Sequence, residues 1–152
     1  MKATRRNRRR ERGAMIIDVA IGFSVILFLV FFFIQTSLVF QDYETLNNMT
    51  REVARGLASG DSISGAKARA YNWDVGTIPH PDTNIQFTLD HSSDGTSWTD
   101  IADTTPVAGG NTSNNAAPGE LVRVRTSYNP TNFPHFYTVT PTFRAAAIMR
   151  RE

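Results

Sequence analysis

Residues Val19 to Ile34 read VAIGFSVILFLVFFFI, an apolar run that only Gly22 and Ser24 interrupt. From Ala14 to Phe40 the single ionisable side chain is Asp18. The hydrocarbon core of a bilayer is about 30 Å thick and takes about 20 helical residues to cross. A buried core helix in a chain of 152 residues would not be apolar on every face. The run therefore predicts a transmembrane helix over residues 14–40.

The charges on either side of this helix predict its orientation. Residues 1–13 contain seven Lys and Arg and one acid, whereas Arg51 and Arg55 are the only basic residues among positions 41–60. Basic flanking residues stay on the cytoplasmic side of the membrane. We therefore expect Met1 in the cytoplasm and residues beyond about 40 outside it.

A cleavable secretory signal is an alternative for the same stretch. Such signals have an apolar region of 7 to 15 residues and end in small residues of the Ala-x-Ala type. Here the apolar run is longer, and it ends in QTSLVFQ at residues 35–41, which lacks that pattern. We expect the helix to stay on the mature protein.

Charge balance and composition exclude several function classes. Beyond Gly13, nine basic residues stand against thirteen acidic ones. A nucleic-acid-binding domain needs basic residues on its folded surface, so we expect no nucleic-acid partner. The chain has no cysteine, which excludes a disulfide framework, a thiol nucleophile and a cysteine-ligated zinc site. Since no nucleophile elbow, phosphate loop or dinucleotide fingerprint occurs either, we expect no enzymatic activity and no cofactor.

The junction before the apolar helix resembles the class III leader of type IV prepilins. Residues 9–18 read RRERGAMIID, so that Gly13 ends the basic stretch and Asp18 is the fifth residue after it. In that family a membrane-embedded aspartyl peptidase cuts after the glycine, and the fifth mature residue is an acid, normally Glu. The resemblance implies processing between Gly13 and Ala14. Asp18 departs from it by being one methylene shorter than Glu.

Two roles for Asp18 stay open. An acid near the end of a membrane span can reach back to lipid headgroups or to Arg12. The resemblance implies instead that Asp18 pairs with the new terminal amine of Ala14 on a neighbouring subunit. Such a pair cancels two desolvation costs, which an unpaired charge does not.

Both ends of the chain resemble the TadE/TadG-like pilin proteins of tight-adherence (Flp-type) pilus systems. The shared features are the acid five residues after Gly13, REVARG at residues 51–56 and the ending FRAAAIMRRE at residues 143–152. The resemblance implies a minor pilin or pseudopilin, a structural subunit used for cell adhesion or secretion. It places the chain in a bacterial inner membrane, with the C-terminal domain extracytoplasmic. The implied partners are membrane lipid, a prepilin peptidase, other pilin-like subunits and the pilus assembly platform.

Beyond the span, the hydrophobic pattern predicts an α+β, pilin-like fold. Leu46, Met49, Val53 and Leu57 follow helical spacing on one stripe, and residues 59–61 (SGD) end that helix. Alternation at residues 84–90, 97–102, 122–125 and 137–149 predicts a small antiparallel sheet, with a short helix at 66–70 and an exposed loop at 103–119. We expect a leader at 1–13, the transmembrane helix at 14–40, an amphipathic helix at 41–60 and a β-rich domain at 61–152.

The hairpin around Asp94 raises a second possible function. Asp90, Ser92 and Asp94 copy the first half of an EF-hand loop, but Ile101 stands where a bidentate Glu is required, with Asp100 one place earlier. A plain hairpin turn explains the same residues, and we expect no metal. The alternative function is an uncleaved single-pass anchor that displays an extracytoplasmic β-domain for binding a ligand such as calcium.

Overall fold

The computed structural model describes residues 3–72, 78, 81–104, 113–130 and 142–152, with side chains from residue 15 onward. Its helices and strands are α1 (Ala3–Ala58), α2 (Ile63–Tyr71), α3 (Pro81–Asn84), β1 (Ile85–Ser92), β2 (Thr99–Asp100), β3 (Leu121–Tyr128) and β4 (Phe143–Arg150). The chain divides into two compact units, Met1–Leu38 and Val39–Glu152, and α1 contributes residues to both. The α+β prediction is confirmed.

The four strands form one antiparallel sheet in the order β2-β1-β3-β4. Because side chains alternate across a strand, the sheet has a core face and an outer face. On β3 the core face carries Val122, Val124, Thr126 and Tyr128, all of which are buried. The predicted strands at 84–90, 97–102 and 122–125 correspond to β1, β2 and β3, and the last predicted strand corresponds to β4 from residue 143 onward. The part of that prediction at 137–141 lies outside the described residues.

One stripe of α1 forms the helical side of the core. Leu46, Met49, Val53 and Leu57 are fully buried and belong to the same cluster as the core-face residues of β3. Full burial of such a side chain contributes about 1.5–3 kcal/mol relative to leaving it in water. This stripe confirms the predicted helical spacing.

Residues 59–61 end α1 as the sequence predicts. Gly60 adopts φ +92°, the left-handed conformation that glycine tolerates best. The amide of Asp61 then donates to the carbonyl oxygen of Gly56 at 3.0 Å, and the amide of Gly60 donates to that of Leu57 at 3.1 Å. These two hydrogen bonds satisfy carbonyl groups that the end of a helix would leave unpaired.

The prediction of an exposed loop at 103–119 is wrong at Asn114 and Ala116, which are buried. The reason is the C-terminus of α1: Nδ2 of Asn114 donates to the carbonyl oxygens of Leu57 and Asp61, both at 2.8 Å. A polar loop residue is thus drawn inward to satisfy the end of the helix. Residues 105–112 of this loop lie outside the described part of the chain.

We predict that Gly56→Ala destabilises the unit Val39–Glu152. An added Cβ at Gly56 would lie 2.9 Å from Cβ and 3.2 Å from Cα of Ala66 on α2, and 2.6 Å from Nη2 of Arg69. Separating the two helices is expected to cost about 1–3 kcal/mol, measured as a lower urea midpoint of the full chain in detergent. Gly22→Ala is the matched control, since an added Cβ there meets nothing within 4 Å. Equal midpoints for the two variants would contradict the close approach.

Candidate assembly site

The N-terminal half of α1 exposes its apolar side chains. From Met15 to Ile34 every large apolar residue is between 42% and 69% exposed. The described chain contains one helix that is long and apolar enough to cross a membrane, found within Met15–Ala58. A water-soluble protein rarely exposes so large an apolar surface. The segment therefore indicates a single-pass membrane protein.

Asp18 is the one acid on this exposed apolar surface. Its side chain is exposed and makes no hydrogen bond or ion pair with any residue whose side chain is described. On the helix its neighbours at three and four residues are Ala14, Met15, Ile21 and Gly22, none of which has an ionisable side chain. Gly13 and Ala14 lie in α1, before the residues whose side chains are described. Asp18 thus lacks a described partner within its own chain.

The calcium candidates lie at the hairpin between β1 and β2. Asp90 and Asp100 are directly paired in the register of these strands. Asp90 is buried, and its Oδ2 accepts hydrogen bonds from Nε and Nη2 of Arg123 at 3.0 and 2.7 Å and from Nη2 of Arg125 at 2.9 Å. Asp100 is exposed. The buried carboxylate is therefore neutralised by arginines of β3.

Asp94 has a different environment from Asp90. Its Oδ1 accepts hydrogen bonds from the amides of Thr96 and Ser97 at 2.8 and 2.9 Å and from the hydroxyl of Ser92 at 2.9 Å. Its Oδ2 accepts from the hydroxyl of Thr96 at 2.6 Å. These hydrogen bonds, with that from the Thr96 hydroxyl foremost, hold the pKa of Asp94 well below its usual range. The carboxylate closes the turn, and within the described residues no group of three His, Cys, Asp or Glu is placed to hold a metal ion.

A side-chain hydrogen bond that sequence reasoning missed joins β1 to the loop before β3. Nδ1 of His91 lies 2.8 Å from Oε2 of Glu120, and the same oxygen accepts the amide of Ala117 at 2.6 Å. The Ala117 hydrogen bond, and then His91, lower the pKa of Glu120. Twenty-nine residues separate the pair, and no local pattern marks residues that only the sheet register brings together.

A comparison with protein families tests the resemblance of the N-terminal segment. A family model described as TadE-like protein matches residues 13–55. This segment is TadE-like. The match begins at Gly13 and ends at Arg55, so it covers the exposed apolar helix and most of the buried stripe, and it leaves the sheet outside. No curated protein and no solved structure shows significant similarity to the chain.

The match confirms the predicted resemblance for residues 13–55, and a TadE-like domain indicates a membrane protein associated with Tad pili. The TadE-like family is a structural family rather than an enzymatic one. The similarity of this segment to that family implies association with a membrane and with pilus components.

We predict that Asp90→Ala destabilises the protein and that Asp100→Ala does not. Removing Asp90 leaves Arg123 and Arg125 without their shared carboxylate, which we expect to lower the free energy of unfolding by about 2 kcal/mol. Asp100 stands opposite Asp90 in the register of β1 and β2 but is exposed. Removing its carboxylate should therefore lower the free energy of unfolding by less than about 0.5 kcal/mol. The measurement is the urea midpoint of the full chain in detergent.

The same experiment separates this reading from calcium binding. A calcium site would raise the midpoint when calcium is added, because a ligand that binds the folded state stabilises it. That increase would disappear in Asp100→Ala. A rise of the urea midpoint with calcium that is lost in Asp100→Ala would show that the arginines are not the main partners of Asp90.

Proposed function

We propose that this protein is a minor pilin or pseudopilin-like subunit of a tight-adherence-type pilus or a related secretion assembly, processed after Gly13. The observation that carries the proposal is Asp18, an acid without a described partner on an exposed apolar helix inside a TadE-like segment. Its distance from Gly13 is the one a prepilin-type leader requires, and the family match begins at that glycine. Residues 1–13 are then a leader that a prepilin peptidase removes.

The charge of Asp18 supports assembly rather than simple anchoring. A carboxylate inside the apolar region costs about 2.5–3.5 kcal/mol at mid-membrane on insertion scales, and less near the edge. An anchor needs no such group. Processing after Gly13 creates an ammonium group on Ala14 close to lipid, so each mature chain carries one anion and one cation to pair. Pairing Asp18 of one copy with Ala14 of the next satisfies both charges.

The exposed apolar helix supplies the other part of the assembly contact. Its large apolar side chains are exposed in the described part of unit Met1–Leu38, so they are available to lipid in the membrane and to other helices in a filament. The basic leader supports an orientation with Met1 on the cytoplasmic side of a bacterial inner membrane and the sheet on the opposite side. Neighbouring pilin-like subunits and the pilus assembly platform are the partners of this surface.

We predict that the protein purified from its native membrane begins at Ala14. Intact mass spectrometry and N-terminal sequencing measure this directly. A peptidase-deficient strain is the control and should yield a chain that begins at Met1. A chain that begins at Met1 in the presence of the peptidase would overturn the processing step and leave an uncleaved anchor that displays the sheet.

We predict that Asp18→Ala and Asp18→Asn abolish incorporation into the filament while Asp18→Glu retains it. An unpaired terminal ammonium costs about 3 kcal/mol, or roughly a hundredfold in assembly. The measurement is the amount of the subunit in sheared pili relative to the membrane fraction. An unchanged thermal midpoint shows that the domain still folds, because Asp18 makes no described contact with it. Normal incorporation of Asp18→Asn would contradict the pairing role.

A further inference from the structure

Basic side chains cluster on the outer face of the sheet, on strands β3 and β4. On β3 this face presents Arg123 and Arg125, and on β4 it presents Arg144 and Arg150. The same face carries two carboxylates, Asp90 and Asp100, which stand opposite each other in the register of β1 and β2. The four arginines outnumber these two acids, so the face has an excess of positive charge. The rest of the chain beyond Gly13 is strongly acidic. We call this surface the arginine face.

An apolar centre lies among these arginines. Ile148 is 57% exposed and stands opposite Arg123 in the register of β3 and β4, and the exposed Ala146 stands opposite Arg125. Arg123 itself stacks on Trp98, with its guanidinium carbon 3.9 Å from the ring centroid. Arginine and aromatic residues around an exposed aliphatic side chain are typical of protein-binding surfaces.

An open groove adjoins this centre. It has a volume of about 460 Å³, and the residues that line it include Arg125, Arg144, Thr88 and Ser127. Arg125 is already bonded to Asp90. Arg144 forms no hydrogen bond or ion pair with any described residue. The groove is therefore bordered by two arginines that can donate hydrogen bonds to a carboxylate. One of them, Arg144, has no partner among the described residues.

The same chain carries a complementary segment. In Val39–Glu152, three large apolar side chains of the described residues are exposed: Ile148 at 57%, Phe40 at 64% and Tyr43 at 42%. Glu44 follows the two aromatics, is exposed, and forms no ion pair with a described residue. Phe40 and Glu44 stand one helical turn apart on the same face of α1, about 6 Å between Cβ atoms.

The spacing of the two surfaces agrees. Ile148 and Ala146 are alternate residues of β4 and lie about 7 Å apart along the strand, and Ala146 borders the groove. A helix that sets an aromatic ring on Ile148 would bring a carboxylate one turn away to Arg125 and Arg144. The other exposed acids in the described part of Val39–Glu152 have no exposed large apolar residue four positions away on a helix: Asp82, Asp94, Asp100, Asp103 and Glu152.

We propose that the arginine face of one copy binds the Phe40–Glu44 segment of α1 in a second copy. The two surfaces are different parts of the chain, so the contact is heterologous and repeats from copy to copy instead of closing a dimer. The contact rests on the proposed function only in requiring several copies on one membrane. It adds a lateral interaction at the outer end of the membrane span, from Phe40 to Glu44, to the helix packing inside the bilayer.

The test uses cysteine cross-linking of the full, unprocessed chain in vesicles of zwitterionic lipid, which the absence of native cysteine makes selective. One copy carries Ala146→Cys and the other Asn48→Cys, which is exposed one turn beyond Glu44. We expect this pair to cross-link at least about fivefold more than the control pair Ala117→Cys with Asn48→Cys. Salt at about 1 M shortens the Debye length to about 3 Å and should reduce the difference.

Charge reversal then tests the partners named. Arg144→Glu in the Ala146→Cys copy should lower the cross-link at least about threefold, and Glu44→Arg in the other copy should restore it. Arg55→Glu, which reverses an exposed charge on α1 away from the arginine face, is the control and should leave the yield unchanged. Because Arg144 has no described intramolecular partner, its loss leaves the fold intact.

Two outcomes would overturn the inference. Equal yields for the test and control pairs would show random collision in the membrane. A loss with Arg144→Glu that Glu44→Arg does not restore would assign the arginine face to another acidic partner. Neither outcome bears on processing at Gly13, since the vesicle assay contains no peptidase, and a chain that begins at Met1 in cells would leave the cross-link unaffected.

Discussion

The burial of one stripe of α1 against the core face of the sheet is the interaction on which the rest of Val39–Glu152 depends. The sheet has four strands, and β2 contributes only two residues to it. A sheet this small needs another layer to bury its apolar face. The stripe from Leu46 to Leu57 supplies that layer. At its centre the hydroxyls of Thr50 and Thr126 lie 2.7 Å apart and share a hydrogen bond, so the polar atoms buried there are also satisfied.

Carbonyl groups at the C-terminus of α1 accept hydrogen bonds from residues that are distant in sequence. The amide of Glu152 donates to the carbonyl oxygen of Ala58 at 3.2 Å, while Nη1 of Arg151 donates to Oδ1 of Asn114 at 3.0 Å. Asn114 in turn binds the last turn of the helix. Two segments far apart in sequence, at Asn114 and Glu152, thus satisfy carbonyl groups that would otherwise be unpaired in a buried position. The basic-basic-acid ending of the chain therefore has a structural role in this fold.

Sequence patterns could predict the elements whose signals are local. The apolar run, the stripe from Leu46 to Leu57 and the helix end at Gly60 each depend on neighbours within a few residues. The partners of Asp90 could not be predicted this way, because Arg123 and Arg125 lie more than thirty positions away and approach only through the register of β1 and β3. The EF-hand-like pattern around Asp94 also showed its limits, since spacing alone cannot distinguish a metal ligand from a carboxylate that closes its own turn.

The charged side chains that lack a partner among the described residues lie in different surroundings from those that have one. Inside the unit Val39–Glu152, the buried carboxylate of Asp90 accepts hydrogen bonds from two arginines, and the exposed carboxylate of Asp94 accepts hydrogen bonds from residues of its own turn. Asp18, Glu44 and Arg144 have no partner among the described residues, and each stands beside exposed apolar side chains. An isolated surface charge gains little from a partner in water. A charge beside an apolar surface gains more, because association removes water from both and strengthens the attraction between opposite charges. These three positions are thus where contact with another chain would contribute most.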